Sequence, residues 1–169
     1  MNLYEELSKR HDLIPILSER AATHDTRFGT AARLVERVEA AAGRRAVRSV
    51  VEAEPLGPSD AMDVLVIAPC TGNTLAKLAA GVTDGTVTMA AKSHLRNGKP
   101  VVIALATNDG LSASAANIGA LLNRKHYYFV PFGQDDPARK PTSLVADFDR
   151  LEETAEAALA GKQIQPILL

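Results

Sequence analysis

Residues 63–81 read Asp-Val-Leu-Val-Ile-Ala-Pro-Cys-Thr-Gly-Asn-Thr-Leu-Ala-Lys-Leu-Ala-Ala-Gly, and two patterns stand back to back in them. Asp63–Pro69 is apolar and β-branched without alternation, which predicts a strand covered on both faces, as in a parallel sheet. Thr74–Ala80 is alanine-rich with helical spacing and stops at Gly81, a residue suited to a left-handed C-cap. Pro100–Ala106 repeats the first pattern, and Thr86–Leu95 supplies a helix between the two strands. Leu13–Leu17 and Tyr127–Pro131 read as further strands. Each carries a proline, which cannot donate a ladder hydrogen bond and so belongs at an edge or a strand end. Leu34, Val35, Val38, Ala41 and Ala42 form one apolar helical stripe closed by Gly43. Leu111–Leu122 and Leu151–Leu159 complete the helices, the latter followed by Gly161. Strand alternating with helix implies right-handed βαβ units: an α/β fold of three layers (αβα) around a doubly wound, mostly parallel sheet, in one domain spanning residues 1–169. Thr23–Gly29 and Gly133–Ser143 are polar and read as loops, the second long enough for a functional loop or lid.

Composition narrows the function classes. The 169 residues carry 19 basic and 20 acidic side chains, a formal charge of -1, which gives no electrostatic case for nucleic acid or an anionic membrane. Aromatics are 4% with no Trp, too few for a base-stacking surface. The single Cys70 excludes an internal disulfide framework and any multi-cysteine metal site. No apolar run approaches the ~20 residues of a membrane span, and the first residues lack a signal-peptide pattern, so a cytoplasmic location is expected.

In an open parallel sheet, ligands bind outside the carboxyl ends of the strands. After Ile67 comes Pro69-Cys-Thr-Gly-Asn-Thr74, where free helix N-terminal amides favour an anionic or hydrogen-bond-accepting ligand. The same residues also suit an ordinary βα loop with Asn73 or Thr74 as the cap. Neither a Walker loop nor a GxGxxG run is present. After Leu105 comes Thr107-Asn-Asp-Gly110, either a ligand-facing turn or an Asx turn with a cap. After Val130 comes Phe132-Gly-Gln-Asp-Asp-Pro137, whose Asp135 and Asp136 suit a turn better than a cation, so no metal is expected. Cys70 reads as a buried small apolar group rather than a nucleophile. His11, His24, His94 and His126 are scattered and have no evident Ser or Cys partner. Arg27, Arg139 and Lys140 sit in the two loops, either as solvated surface charges or as a clamp for carboxylates.

These residues resemble a known family. Ala68-Pro-Cys-Thr-Gly-Asn-Thr-Leu-Ala-Lys-Leu-Ala-Ala-Gly-Val-Thr-Asp84 is similar to the Pro-Ala-Ser-Ala-Asn-Thr…Ala-Lys…Gly…Asp signature of the FMN-binding flavoproteins. That superfamily holds the cysteine decarboxylases and flavin prenyltransferases, with flavodoxin- or Rossmann-like folds. Pro69, Asn73, Thr74, Lys77, Gly81 and Asp84 match in register. A closer similarity is to the B subunits of dipicolinate synthases. It rests on Thr26-Arg-Phe-Gly29, Ala53-Glu-Pro-Leu-Gly-Pro58, Thr107-Asn-Asp109, Phe129-Val-Pro-Phe-Gly-Gln-Asp-Asp-Pro137, Lys140-Pro141, Ser143-Leu-Val-Ala146 and Gln165-Pro-Ile-Leu168.

The resemblance implies an oxidoreductase subunit that helps oxidise dihydrodipicolinate to dipicolinate during sporulation. Its partner would be an A subunit that carries NADP, and the substrate a small dicarboxylate. FMN would be the cofactor, near Ser18, Pro69, Thr71, Gly72, Asn73, Thr74 and Thr107, and the chain would form a homo-oligomer, trimeric or dodecameric. Asn73 and Asn108 are the catalytic candidates; Arg27, Asn108 and Lys140 would hold substrate. The family's opening strand and its Gly-Xaa-Thr-Gly-Ser-like phosphate loop have no counterpart here, Met1 falling in the later part of the first helix. A cofactor-free subunit that stabilises the A subunit is therefore the alternative. An FMN-dependent decarboxylase is a third reading, against which stand Thr107, where decarboxylases have Met, and the lack of their C-terminal cysteine motif.

Overall fold

β2 (Val101–Thr107) is the axis of the sheet: Val101 to Leu105 are fully buried, which requires cover on both faces. In the computed structural model, which describes residues 3–27 and 29–169, β1 (Leu65–Cys70) runs parallel to β2 on one side. β3 (Tyr127–Phe129) runs parallel to it on the other. Leu65, Val101 and Tyr127 stand in register at the amino ends of the three strands. β1 carries one extra residue between Ile67 and Cys70, where the Ala68–Pro69 peptide is cis. Past Phe129 the chain leaves β2 at Val130-Pro131, since proline has no N–H for the ladder. β5 (Leu144–Ala146) takes its place, antiparallel to the carboxyl end of β2, with Thr107 opposite Leu144. β4 (Phe132–Gly133) pairs antiparallel with β5, and Leu168 bridges to Phe132 beyond it. The sheet is therefore mixed but mostly parallel.

Helices cover it on both sides. α1 (Leu3–Leu7), α2 (Glu19–Thr23), α3 (Ala31–Ala42) and α4 (Val50–Ala53) precede the sheet; α5 (Gly72–Ala80), α6 (Thr86–Leu95), α7 (Ala115–Leu122) and α8 (Leu151–Leu159) alternate with its strands. The apolar stripe of α3 buries Ala31, Val35 and Val38, and the helix ends at Gly43 with φ 63°. α5 ends likewise at Gly81 with φ 71°, as its sequence predicts. No described helix is long and apolar enough to cross a membrane.

Two expectations change. Leu13–Leu17 is not a strand: Ile16 makes a single parallel bridge to Val47, because Pro15 can only accept there and its carbonyl takes the Val47 N–H at 2.9 Å. α7 starts at Ala115 rather than Leu111, since the Asp109 carbonyl draws the N–H groups of Ser112 and Ser114 into a turn. The Gly133–Ser143 loop is flanked by β4 and β5 and is closed on itself by ion pairs. In the Thr23–Gly29 loop, Thr26 and Gly29 exchange both backbone hydrogen bonds. Phe28, part of the motif there, and Met1 lie outside the described residues.

Candidate functional site

β1 and β2 end side by side, and the turns that leave them meet. Thr71, rather than Asn73 or Thr74, caps α5: its Oγ1 accepts from the N–H of Thr74 at 3.5 Å. The exposed carboxamide of Asn73 is thereby left without a hydrogen bond among the described residues. Gly72, the first residue of the helix, lies against the turn after β2. A Cβ there would stand 2.7 Å from Thr107 Oγ1 and 3.0 Å from both Asp109 Oδ1 and Ser114 Oγ. Those three atoms form one network. Thr107 Oγ1 donates to Asp109 Oδ1 at 2.5 Å and Ser114 Oγ donates to the same oxygen at 2.9 Å.

The hydrogen bond from Thr107, then that from Ser114, hold the Asp109 carboxyl below its ordinary range, so it is a fixed negative charge at neutral pH. The sequence reading passes over Asp109 and Ser114. A carboxylate two residues after the end of a buried strand, facing a glycine at a helix start, is the signal that points to Asp109.

The long loop is seated on the same turn. Thr142 Oγ1 donates to the Asn108 carbonyl at 2.7 Å, and the Leu111 N–H donates to the Thr142 carbonyl at 2.9 Å. Within the loop Lys140 Nζ meets Asp135 Oδ2 at 2.7 Å, and Arg139 Nε meets Asp136 Oδ2 at 2.7 Å. Lys140, with Ser143, lowers the Asp135 carboxyl to about 2. Both carboxylates thus serve the loop's own cations. No group of three or more His, Cys, Asp or Glu side chains suited to a metal stands among the described residues.

The structure brings Pro69, Thr71, Gly72, Asn73, Thr74, Thr107 and Asn108 to one edge, with the Lys140 loop attached through Thr142. Ser18 and Arg27 belong to another segment. Ser18 caps α2, its Oγ accepting from the Ala21 N–H at 3.2 Å, and no hydrogen bond among the described residues joins it to Thr71–Thr74. Arg27 sits at the tip of the turn that Thr26 and Gly29 close. Cys70 is fully buried, and burial pushes its thiol up to about 12, so it is a packing residue and not a nucleophile. His94 is 2% exposed with Nε2 3.1 Å from the Pro100 carbonyl, and burial first of all lowers its pKa and keeps it neutral. His11 pairs with Glu152 at 2.7 Å, away from the cluster.

Comparison with known proteins bears on the family of the chain. The family model described as Flavoprotein matches residues 2–148. The B subunit of dipicolinate synthase from Bacillus subtilis is 44% identical over 165 residues, 98% of this chain and 82% of that protein. The crystal structure of the dipicolinate synthase B subunit from Bacillus halodurans superposes with a TM-score of 0.90 at 44% identity, covering 98% of this chain and 86% of that one. The FMN-dependent cysteine decarboxylase SpaF aligns with a TM-score of 0.57 at 27% identity, over 77% of this chain and 75% of its own. With the fold, the family model and the similarity over 98% of the chain in agreement, the chain belongs to the flavoprotein family, in the group of dipicolinate synthase B subunits.

Proposed function

We propose that the chain is one subunit of an oxidoreductase that converts dihydrodipicolinate to dipicolinate in the cytoplasm of a sporulating cell. It acts with an A subunit that carries NADP. The observation that carries this reading is the 44% identity to the B subunit of dipicolinate synthase along 98% of the chain. Aromatising the dihydropyridine ring removes one hydride, which passes to NADP, and one proton. The Gly72–Asp109 cluster suits that chemistry. A negative charge fixed by two hydroxyl donors stabilises positive charge that develops on the ring as hydride departs. Held ionised, Asp109 is a weak base, so its role is electrostatic rather than proton transfer. A substrate carboxylate would compete with Asp135 for Lys140, and Asn108, on the turn that the loop covers, would orient it.

The residues present fit the polar edge of a flavin ring. Asn73 offers an unengaged carboxamide, Thr71 and Thr74 offer hydroxyls, and the Gly72 and Asn73 amides at the start of the nine-residue helix are not taken by its cap. A bound flavin would supply a hydride-accepting ring, and Asn73 would orient it; Gly72 serves the packing of the α5 start against the Thr107–Asp109 turn. A homo-oligomer is part of the reading, supported by Leu111 and Leu122, which stand 52% and 45% exposed around α7. A cofactor-free role as stabilising partner is the second reading. It is favoured by Ser18 and Lys140, whose polar groups are spent within their own segments. The test is to mix the full chain with the A subunit and dihydrodipicolinate and follow NADP reduction. A rate that needs both chains, and falls in Asp109→Asn while the variant still binds the A subunit, is expected. Full rate from the A subunit alone would end the proposal.

A further inference from the structure

A cleft lies at the other end of the sheet. Tyr127, which lines it, stands in register with Val101 and Leu65 at the amino ends of the strands. Thr107 is six residues further along β2, roughly 20 Å away. The cleft measures about 460 Å³, within the usual size of small-molecule sites. Its floor is apolar: Leu78 from α5, Leu95 from α6, and the Tyr127 ring. Its rim is basic. Lys92 comes from the last turn of α6, Arg96 is the cap that follows it, and Lys125 comes from the turn before β3. Among the described residues, no Asp or Glu lines it.

Basic residues at helix carboxyl ends commonly serve the terminal carbonyls. Here Arg124 performs that task for α5, donating to the Leu78 carbonyl at 3.1 Å and the Ala79 carbonyl at 2.6 Å. Lys77 is held by Asp84 at 2.8 Å. Lys92, Arg96 and Lys125 are exposed and have no ion pair or side-chain hydrogen bond among the described residues. Three unpaired cations converge on one cleft in a chain whose net charge is -1. Like charges facing one another cost free energy unless an anion joins them.

We infer that this cleft binds a compact organic polyanion, with an apolar body on the Leu78–Leu95–Tyr127 floor and two or more carboxylate or phosphate groups on Lys92, Arg96 and Lys125. The site is distinct from the Gly72–Asp109 cluster and does not depend on the function proposed for that cluster. The two sources of charge are separated by two probes, pyridine-2,6-dicarboxylate and adenosine 2′,5′-bisphosphate, titrated into the 15N-labelled full chain at low salt. At least one probe is expected to shift amides in 77–83, 92–96 and 124–127, the one that binds naming carboxylate or phosphate as the group recognised. K92Q/K125Q is expected to weaken that binding about tenfold. R20Q/R33Q, the same change of net charge on α2 and α3, is expected to leave it within about twofold. Absence of binding by both probes, equal loss in the two double variants, or shifts centred on 71–74 and 107–110 would overturn the inference.

Discussion

Replacing Gly72 with Ala places one methyl group where the fold has no room for it. The new carbon would lie 2.7 Å from Thr107 Oγ1 and 3.0 Å from Asp109 Oδ1 and Ser114 Oγ. Any one of those atoms that yields must lengthen a hydrogen bond to Asp109, because all three belong to one network. Overpacking by a methyl costs about 1–3 kcal/mol. Helix propensity acts in the opposite sense, since Ala is favoured over Gly by up to about 1 kcal/mol inside a helix. The steric term wins, leaving a net loss of about 1–2 kcal/mol, or roughly 2–8 °C in Tm for a chain of this length. Thermal unfolding followed by circular dichroism measures it. An unchanged or raised Tm would refute the reasoning, for it would mean that propensity dominates and that α5 does not rest on the Thr107–Asp109 turn.

Other consequences follow from the same contacts. Asp109 has a folded pKa below its ordinary 3.8, so its contribution to stability is present above that value and is lost as pH falls from there through the lower folded pKa. Asp109→Asn should accordingly flatten the acid limb of a stability–pH curve, and an unaltered limb would contradict the network. Cys70, buried and pushed up to about 12, should resist iodoacetamide in the native chain and react fully in guanidinium; rapid native labelling would show the burial to be wrong. Arg124→Met removes two donors from the carboxyl end of α5 and should cost about 1–3 kcal/mol in urea unfolding, whereas a loss below about 0.5 kcal/mol would place those carbonyls in water. Lys140→Met should raise KM for the dicarboxylate in the two-subunit assay more than it lowers kcat; the reverse pattern would remove Lys140 from substrate binding.

The bodies of β1 and β2 are legible because a strand covered on both faces must be apolar at every position, and 63–69 and 100–106 are. β4 and β5, of two and three residues, are too short to show any period, and so the antiparallel edge goes unread. Leu111–Ser114 resembles a helix start by composition, yet the Asp109 carbonyl makes it a turn. At the site, the rule about carboxyl strand ends locates Thr71–Thr74 and Thr107–Asn108 correctly at one edge. The rule reaches the turn that holds Asp109 but not its role, because its ionised state and its place against Gly72 arise from contact between two turns remote in sequence. The pairing of Lys140 with Asp135 is likewise a product of how the loop folds back, which its residue order leaves open.

A flavin site at the edge formed by Asn73 and the Thr107–Asp109 turn is the claim on which most depends. Titration of FMN with the full chain, alone and with the A subunit present, followed by flavin fluorescence, addresses it directly. Saturable binding, weakened about tenfold or more by Asn73→Ala at unchanged Tm, is the predicted result. Absence of binding under both conditions, or equal binding by Asn73→Ala, would contradict it, and absence under both would leave the cofactor-free partner as the reading of the chain.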